Sequence, residues 1–175
     1  FAAHGSAVVD TDALAHELTA GGGAAMPALL AEFGPEVATA DGALDRQRMR
    51  RLVFADPAAR GRLEAILHPL IRALSDERCR EAASPYVILA VPLLVESGGY
   101  RDRCNQIVVV DCPENLQISR VMARSGLAES EVRAIMAAQA SRDERLAVAD
   151  DVLNNDGDLH HLEVQVADLH RPAQD

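Results

Sequence analysis

The chain has 175 residues, of which 49% are hydrophobic and 25% are charged, and its formal net charge at pH 7 is -10. A chain of this length forms one globular domain with a substantial core, so subdomains of that one domain are the expectation. No apolar run is long enough to span a bilayer, and a strongly acidic chain does not suit anionic lipids or nucleic acids. The composition therefore predicts a soluble protein that binds neither membranes nor nucleic acids.

The cysteines, the histidines and the first residue give three further expectations, on location, metal binding and the start of the chain. Cys79, Cys104 and Cys112 are spaced neither as a disulfide framework nor as metal ligands, which predicts a reducing, cytoplasmic environment. The six histidines likewise form no zinc-binding pattern, so we expect no metal to be ligated directly by the protein. The chain starts at Phe1 without a signal peptide pattern, and we expect that it begins inside a longer sequence.

The first predicted element is a short buried strand over residues 6–10. Its carboxyl end carries Asp10, Thr11 and Asp12, and a helix is predicted from residue 13 to about residue 19. Three glycines then interrupt the chain, and apolar residues at helical spacing continue, with breaks, through residues 24–74. Residues 21–84 are thus predicted to be a helical insertion, with an interruption at Pro69.

Two continuous apolar runs, residues 86–91 and 107–110, have the length and composition of strands that are buried on both faces. Helical patterns cover residues 114–123 and 129–140, and a last strand at 151–154 precedes a terminal helix from about residue 159. Strands that alternate with helices predict an α/β fold with a parallel sheet. Ligands of such sheets bind beyond the carboxyl ends of the strands, where the polar residues of this chain gather.

Four segments together carry a resemblance to a known family. They are VVDTD at residues 8–12, ILHPLI at 66–71, VPLLVE at 91–96 and AAQASRDERLAVADDVLNNDG at 137–157. In this order and at these spacings they resemble the dephospho-CoA kinases, over nearly the whole chain. The resemblance implies a P-loop kinase-like parallel sheet flanked by helices, and a cytoplasmic enzyme that uses ATP and Mg²⁺. It further implies phosphorylation of the ribose 3′-hydroxyl of dephospho-CoA, the final step of coenzyme A biosynthesis.

The resemblance also implies a division of the chain into parts. Residues 1–20 and 85–175 would form the nucleotide-binding core, residues 21–84 the helical CoA-binding insertion, and residues 114–145 a lid. The family carries a first strand and a P-loop before this segment, whereas the chain has no G-x-x-x-x-G-K-[ST] pattern and no lysine. We therefore expect both features to precede Phe1.

Two alternatives to this interpretation stay open. The segment could be a non-catalytic CoA-binding or nucleotide-binding fragment, because it lacks the loop that holds the β- and γ-phosphates. It could also be another small-molecule kinase with the same core, such as a nucleoside monophosphate kinase. The H-P-L-I and V-P-L-L-V-E segments would be unexpected in such a kinase.

The resemblance assigns roles on the side of the acceptor substrate. Asp12 matches a catalytic carboxylate that accepts the proton of the attacking hydroxyl, and Asp10 could contact Mg²⁺ through water and border the substrate. The structural alternative is that both aspartates cap the following helix. The other residues implied to bind substrate are His68, Pro92, Leu93 and Glu96. A histidine at this helical position is also compatible with a core or capping role.

The resemblance places a second group of residues around ATP. Arg120 and Arg124 are four residues apart, hence on one helical face, and match lid arginines that bind phosphates. The alternative is a solvated face on which they pair with Glu114 or Glu129. The remaining residues implied to bind ATP are Arg142, Arg145, Asn155 and Gly157, of which the last two are also ordinary turn residues.

Overall fold

The computed structural model describes residues 1–171, which form two compact units. One unit comprises Ala2 and His4–Pro92, and the other comprises Phe1, Ala3 and the chain from Leu93 onward. Each unit contains one pair of parallel strands. None of the helices within residues 1–171 combines the length and the hydropathy that crossing a bilayer requires.

The first unit is built on strands β1 (Ala7–Asp10) and β2 (Val87–Ala90), and we refer to it as the β1–β2 unit. The strands are parallel, as predicted, and Asp10 lies opposite Ala90 at their carboxyl ends. Helix α1 (Thr11–Leu18) follows β1 without a connecting loop. The Thr11 hydroxyl donates a hydrogen bond to the carbonyl of Ala90 at 3.0 Å, so the first turn of α1 is tied to the end of β2.

Three further α-helices lie between α1 and β2. They are α2 (Met26–Phe33), α3 (Arg46–Ala55) and α4 (Pro57–Glu81). Their apolar faces enclose a core in which Leu29 and Val37 are fully buried. Burying one leucine side chain contributes roughly 1.5–3 kcal/mol to folding, so this core stabilises the helical segment. The predicted helical character of residues 21–84 is therefore confirmed.

Helix α4 continues through Pro69 over 25 residues, so the predicted interruption at this proline is wrong. Proline removes one backbone donor and deprives the carbonyl of Ala65, four residues earlier, of its helical partner. Ala65, His68 and Pro69 are all exposed, and water can satisfy the free carbonyl on this face of the helix. Packing of the opposite, apolar face against the core keeps the helix in one piece.

The second unit contains strands β3 (Val108–Asp111) and β4 (Asp151–Asn154) and is referred to as the β3–β4 unit. These strands are also parallel, with Asp111 opposite Asn154 at their carboxyl ends. The helices of the unit are α5 (Leu94–Ser97), α6 (Glu114–Ser125), α7 (Glu129–Ala137), α8 (Arg142–Ala147) and α9 (Leu159–His170). The strands and helices predicted for residues 107–159 are confirmed.

Side chains fasten this strand pair at its amino-terminal end. The Asp150 carboxylate accepts a hydrogen bond from the backbone N–H of Ile107 at 2.7 Å, and both of its oxygens accept from Arg101. The hydrogen bonds from Arg101, together with the one from the Ile107 amide, lower the pKa of Asp150 to about 2. The charged carboxylate thus joins the beginnings of β3 and β4 at neutral pH.

The outer edge of β4 is closed by a side chain from α9. The amide of Gln165 accepts a hydrogen bond from the backbone N–H of Asn154 at 2.8 Å and donates one to the carbonyl of Asn154 at 2.9 Å. A primary amide in this position replaces the donor and acceptor that a neighbouring strand would offer. The interaction fixes the end of β4 and therefore the start of the loop that follows it.

Candidate active site

Asp10 and Asp12 lie at the carboxyl end of the β1–β2 pair and have different surroundings. Asp10 is the N-cap of α1, and its Oδ1 accepts hydrogen bonds from the backbone N–H groups of Asp12 at 2.9 Å and Ala13 at 3.4 Å. The capping role considered from the sequence thus applies to Asp10. The exposed carboxylate of Asp12 accepts no hydrogen bond from any residue between 1 and 171. Of the two carboxylates, only that of Asp12 makes no hydrogen bond within residues 1–171, because Oδ1 of Asp10 is engaged by the amides of α1.

His68 and Pro92 are the other predicted site residues of the β1–β2 unit. His68 is exposed on α4, immediately before Pro69, and it is not part of the apolar core. Pro92 is exposed two residues after the end of β2. Both side chains are therefore accessible to a ligand, and the core alternative considered for His68 does not describe its position.

A charged pair occupies the carboxyl end of the β3–β4 pair. Arg142, the first residue of α8, donates from Nε to Asp111 Oδ1 at 2.8 Å and from Nη2 to Asp111 Oδ2 at 2.6 Å. Asp111 is the last residue of β3 and is only 7% exposed. The hydrogen bond from Arg142 lowers the pKa of Asp111 and outweighs the opposing effect of burial. This carboxylate is therefore ionised at neutral pH and holds one edge of the guanidinium.

Arg120 joins the same end of the strand pair through the loop after β4. Its Nη1 donates to the carbonyl of Asn155 at 2.7 Å and lies 3.6 Å from the sulfur of Cys112. The backbone N–H of Asn155 in turn donates to the carbonyl of Asp111 at 2.7 Å. Arg120 therefore does not pair with Glu114 or Glu129. Together with Arg142 it brings a second guanidinium to the loops that follow β3 and β4.

Glu96 and Arg145 hold the connection between α7 and α8. Oε1 of Glu96 accepts a hydrogen bond from the backbone N–H of Ala140 at 2.7 Å. Nη1 of Arg145 donates to the carbonyl of the same residue. The positive charge of Arg145 also contributes to the lowered pKa of Asp111. Arg142 and Arg145 thus belong to one short helix, α8. Ala140, two residues before this helix, is bound through both its backbone N–H and its carbonyl.

The remaining predicted residues of this unit are less constrained. Arg124 is exposed in the last turn of α6 and has no hydrogen-bond or ion-pair partner among residues 1–171. Leu93 is 42% exposed and precedes α5. Gly157 lies against the ring of His161, where an added Cβ would stand 3.3 Å from the nearest ring atom. A larger residue at position 157 would thus press on the first turn of α9.

Sequence reasoning missed Asp111 and Gln165 as residues that organise this site. Asp111 carried one available signal, because it ends a buried strand in the same way as Asp10 does. Gln165 carried none, since a glutamine in the middle of an amphipathic helix is ordinary. Neither partner is close in sequence: Arg142 follows Asp111 by 31 residues, and Gln165 follows Asn154 by 11.

The arrangement in the β3–β4 unit is suited to an anionic ligand. Arg120, Arg142 and Arg145 are all anchored near the ends of β3 and β4, although the whole chain carries a net charge of -10. Arginine presents a planar set of donors that matches the oxygens of a phosphate group. Held guanidinium groups beyond the carboxyl ends of parallel strands are typical of nucleotide-phosphate binding.

Comparison with known proteins gives a consistent result. The family model described as dephospho-CoA kinase matches residues 1–161. A dephospho-CoA kinase of Dechloromonas aromatica is 72% identical over 170 residues, which cover 97% of this chain and 82% of the relative. One from Aromatoleum aromaticum is 60% identical over 166 residues, which cover 95% of this chain and 81% of the relative.

Solved structures are similar as well. The crystal structure of TT1252 from Thermus thermophilus has a TM-score of 0.81 and 36% sequence identity, and the match covers 98% of this chain and 86% of that one. A dephospho-CoA kinase from Campylobacter jejuni has a TM-score of 0.72 at 21% identity, covering 99% and 87% of the two chains. The second likeness concerns the fold alone, and it agrees with the predicted α/β fold of parallel strands flanked by helices.

Proposed function

The chain belongs to the dephospho-CoA kinase family, ATP-dependent enzymes that phosphorylate the 3′-hydroxyl of dephospho-CoA, and on that premise we propose a role for each site residue. Asp12 accepts the proton of the attacking hydroxyl. The arginines of the β3–β4 unit bind the phosphates of ATP. The observation that carries the proposal is the anchoring of Arg120, Arg142 and Arg145 around the carboxyl ends of β3 and β4.

The role of Asp12 is supported by the contrast with Asp10. Phosphoryl transfer needs a positioned nucleophile and neutralised phosphate charge, and a carboxylate within reach of the hydroxyl assists by accepting its proton. Oδ1 of Asp10 is engaged by the amide groups at the start of α1, which leaves only Oδ2 free. Asp12 extends from the first turn of that helix with both carboxylate oxygens free of protein donors among residues 1–171. The capped helix fixes the backbone from which this carboxylate acts.

We assign the binding of ATP to four arginines and to the loop after β4. Arg142 and Arg145 on α8 and Arg120 on α6 have fixed guanidinium groups, whereas Arg124 is free to turn toward a ligand. Hydrogen bonds from cationic donors to phosphate strengthen as charge develops in the transition state. We assign Asn155 and Gly157 to the adenine, because a glycine lets the backbone approach a flat base and an asparagine side chain can bond it.

We assign the binding of dephospho-CoA to the helical segment 21–84 and to four exposed residues, two in each unit. These are His68 on α4, Pro92 after β2, and Leu93 and Glu96 in the β3–β4 unit. His68 has no proton-transfer role in this scheme. Residues 114–145, which hold Arg120 and Arg124, would act as the lid. The division into a core of residues 1–20 and 85–175 stays a prediction, as does the cytoplasmic location.

Mg²⁺ accompanies ATP in this proposal, and the residues present fit such a role. Mg²⁺ prefers oxygen ligands, retains several waters and is usually held by one or two carboxylates together with substrate phosphates. Oδ2 of Asp10 accepts no hydrogen bond from residues 1–171 and is available to a water of the ion. In that part of the chain no cluster of three or more acidic, histidine or cysteine side chains would hold a metal by itself. The ion, when bound, would neutralise phosphate charge.

Transfer of label from γ-labelled ATP tests the proposal. The protein is incubated with Mg²⁺ and either dephospho-CoA or a set of nucleoside monophosphates, and the labelled products are separated. We expect label in coenzyme A and none in nucleoside diphosphates. Preferential labelling of a nucleoside monophosphate would instead support another kinase of the same core and overturn the substrate assignment. Loss of label in an Asp12→Asn variant that still binds ATP would support the role of Asp12 as the proton acceptor.

A further inference from the structure

The pair formed by Asp111 and Arg142 has a geometry that the phosphate-binding role of Arg142 does not by itself require. Two donors of the guanidinium, on Nε and Nη2, face a carboxylate and not the solvent. The carboxylate is 7% exposed, while 43% of the Arg142 side chain remains accessible. One edge of the guanidinium is therefore committed to the protein, and the opposite edge is open.

The residue that carries the carboxylate has a backbone fixed in the strand pair. Asp111 is the last residue of β3, paired in register with Asn154 of β4. Its own carbonyl accepts the backbone N–H of Asn155 at 2.7 Å. Because its backbone is fixed and its side chain is only 7% exposed, Asp111 has less freedom to move than Arg142, so the arginine takes its orientation from the carboxylate.

We propose that Asp111 is a positioning residue of the kinase, which orients the free edge of Arg142 toward the phosphates of ATP. This inference rests on the proposed function of Arg142. A guanidinium has five N–H donors, and two of them are used by Asp111. The three that remain, two on Nη1 and one on Nη2, form a fork that matches two oxygens of a phosphate group. Fixing that fork before ATP binds reduces the ordering that binding would otherwise require.

Charge alone would predict the opposite effect of Asp111. A buried negative charge near a site for a polyanion repels the ligand, and its removal would strengthen ATP binding if Arg142 acted only as a positive charge. The positioning role predicts instead that removal weakens productive binding, because a mobile guanidinium reaches the transition-state geometry less often. The sign of the effect therefore separates the two views.

The test compares Asp111→Asn with Asp150→Asn. Asp150 is bound by Arg101 through two hydrogen bonds in the same way, on the same strand pair but at its amino-terminal end, so it controls for the loss of an aspartate–arginine pair. We expect kcat/KM for ATP to fall roughly tenfold in Asp111→Asn, while KM for dephospho-CoA changes less than about twofold. Asp150→Asn should leave both values near wild type.

A double-mutant cycle decides whether Asp111 acts through Arg142. We expect Asp111→Asn to have no further effect on kcat/KM for ATP when Arg142 is already alanine. Equal losses in Asp111→Asn and Asp150→Asn, or an additive double mutant, would overturn the inference. If Asp111→Asn does not fold, Asp111→Glu keeps the charge but displaces the carboxylate, and a fall in kcat/KM for ATP is again expected.

The failure of the inference can be told apart from that of the proposed function. If Arg142→Ala lowers kcat/KM for ATP while Asp111→Asn and Asp111→Glu behave as wild type, the phosphate role of Arg142 stands and the positioning role of Asp111 is wrong. If Arg142→Ala itself has no effect on ATP, the assignment of Arg142 fails and the inference fails with it.

Discussion

Nη1 of Arg120 donates a hydrogen bond to the backbone carbonyl of Asn155 at 2.7 Å, which connects α6 with the loop after β4. The two residues are 35 positions apart in sequence. Arg124, one helical turn further along α6, makes no comparable contact within residues 1–171. The two arginines share one face of the helix, but only Arg120 makes a hydrogen bond that contributes to the stability of the fold.

Replacement of each of these arginines by alanine should separate a structural contribution from a ligand-binding one. We expect both variants to raise KM for ATP roughly tenfold, because each loses a cationic donor to phosphate. Only Arg120→Ala should also lower the free energy of unfolding, by about 1 kcal/mol, since it removes the bond to Asn155. Steady-state kinetics and urea unfolding of both variants measure the two effects. An Arg124→Ala enzyme with unchanged kinetics would contradict its assignment to ATP.

Asp10 and Asp12 give a second matched pair of variants. Asparagine caps a helix about as well as aspartate does, so Asp10→Asn should retain the wild-type melting temperature, whereas Asp10→Ala should lose about 1 kcal/mol. Asp12→Asn should lower kcat by roughly 10²–10⁴-fold without a change in melting temperature, because the amide cannot accept the proton. Single-turnover phosphorylation and thermal melts provide the measurements. An Asp12→Asn enzyme with normal kcat would show that Asp12 is not the catalytic base.

The role of Glu96 can be tested with a change that preserves its size. One oxygen of Glu96 accepts from the Ala140 amide, and the other accepts no hydrogen bond from residues 1–171. We expect Glu96→Gln to raise KM for dephospho-CoA roughly tenfold, because a charged contact to the substrate is lost, while the glutamine oxygen keeps the bond to Ala140. Glu163→Gln, an exposed change on α9, is the control. Identical kinetics of the two variants would show that Glu96 does not bind dephospho-CoA.

Asp150 should make the stability of the β3–β4 unit depend on acid pH. Its pKa is about 2 in the folded chain, against an ordinary value of 3.8, so the charged form is favoured by folding. The contribution is complete well above pH 3.8 and disappears as the pH falls toward 2. The melting temperature of Asp150→Asn should thus lie below that of wild type at pH 6, and the difference should shrink between pH 4 and about pH 2. A difference that is independent of pH would show that the charge of Asp150 contributes nothing.

Two glycines of the β1–β2 unit should respond oppositely to alanine. Gly61 lies inside α4 with no atom within 4 Å of the position that a Cβ would take, so Gly61→Ala should stabilise the protein by about 0.5–1 kcal/mol. At Gly23 a Cβ would stand 2.3 Å from the carbonyl oxygen of Leu18, and Gly23→Ala should cost roughly 2–3 kcal/mol. Urea unfolding measures both. Equal effects of the two substitutions would contradict the close approach at Gly23.

The sequence by itself determined the strands, most of the helices and the family. Apolar runs of strand length and apolar residues at helical spacing are local patterns, and they located β4 at Asp151–Asn154 and the start of α9 at Leu159. The resemblance to dephospho-CoA kinases also lies in short segments, from VVDTD to AAQASRDERLAVADDVLNNDG, which can be compared without a structure. Even so, the proline rule failed in α4, because packing of its apolar face outweighed one lost hydrogen bond.

Only the tertiary structure decided which side chains bind one another. Nothing near Asp111 in the sequence indicates that its partner is Arg142, and nothing near Asn154 indicates Gln165. The same holds for the division of labour between Asp10 and Asp12, which depends on where α1 begins. The physical reason is that hydrogen bonds and ion pairs form over about 3 Å, and the packing of distant segments alone brings such groups within that range.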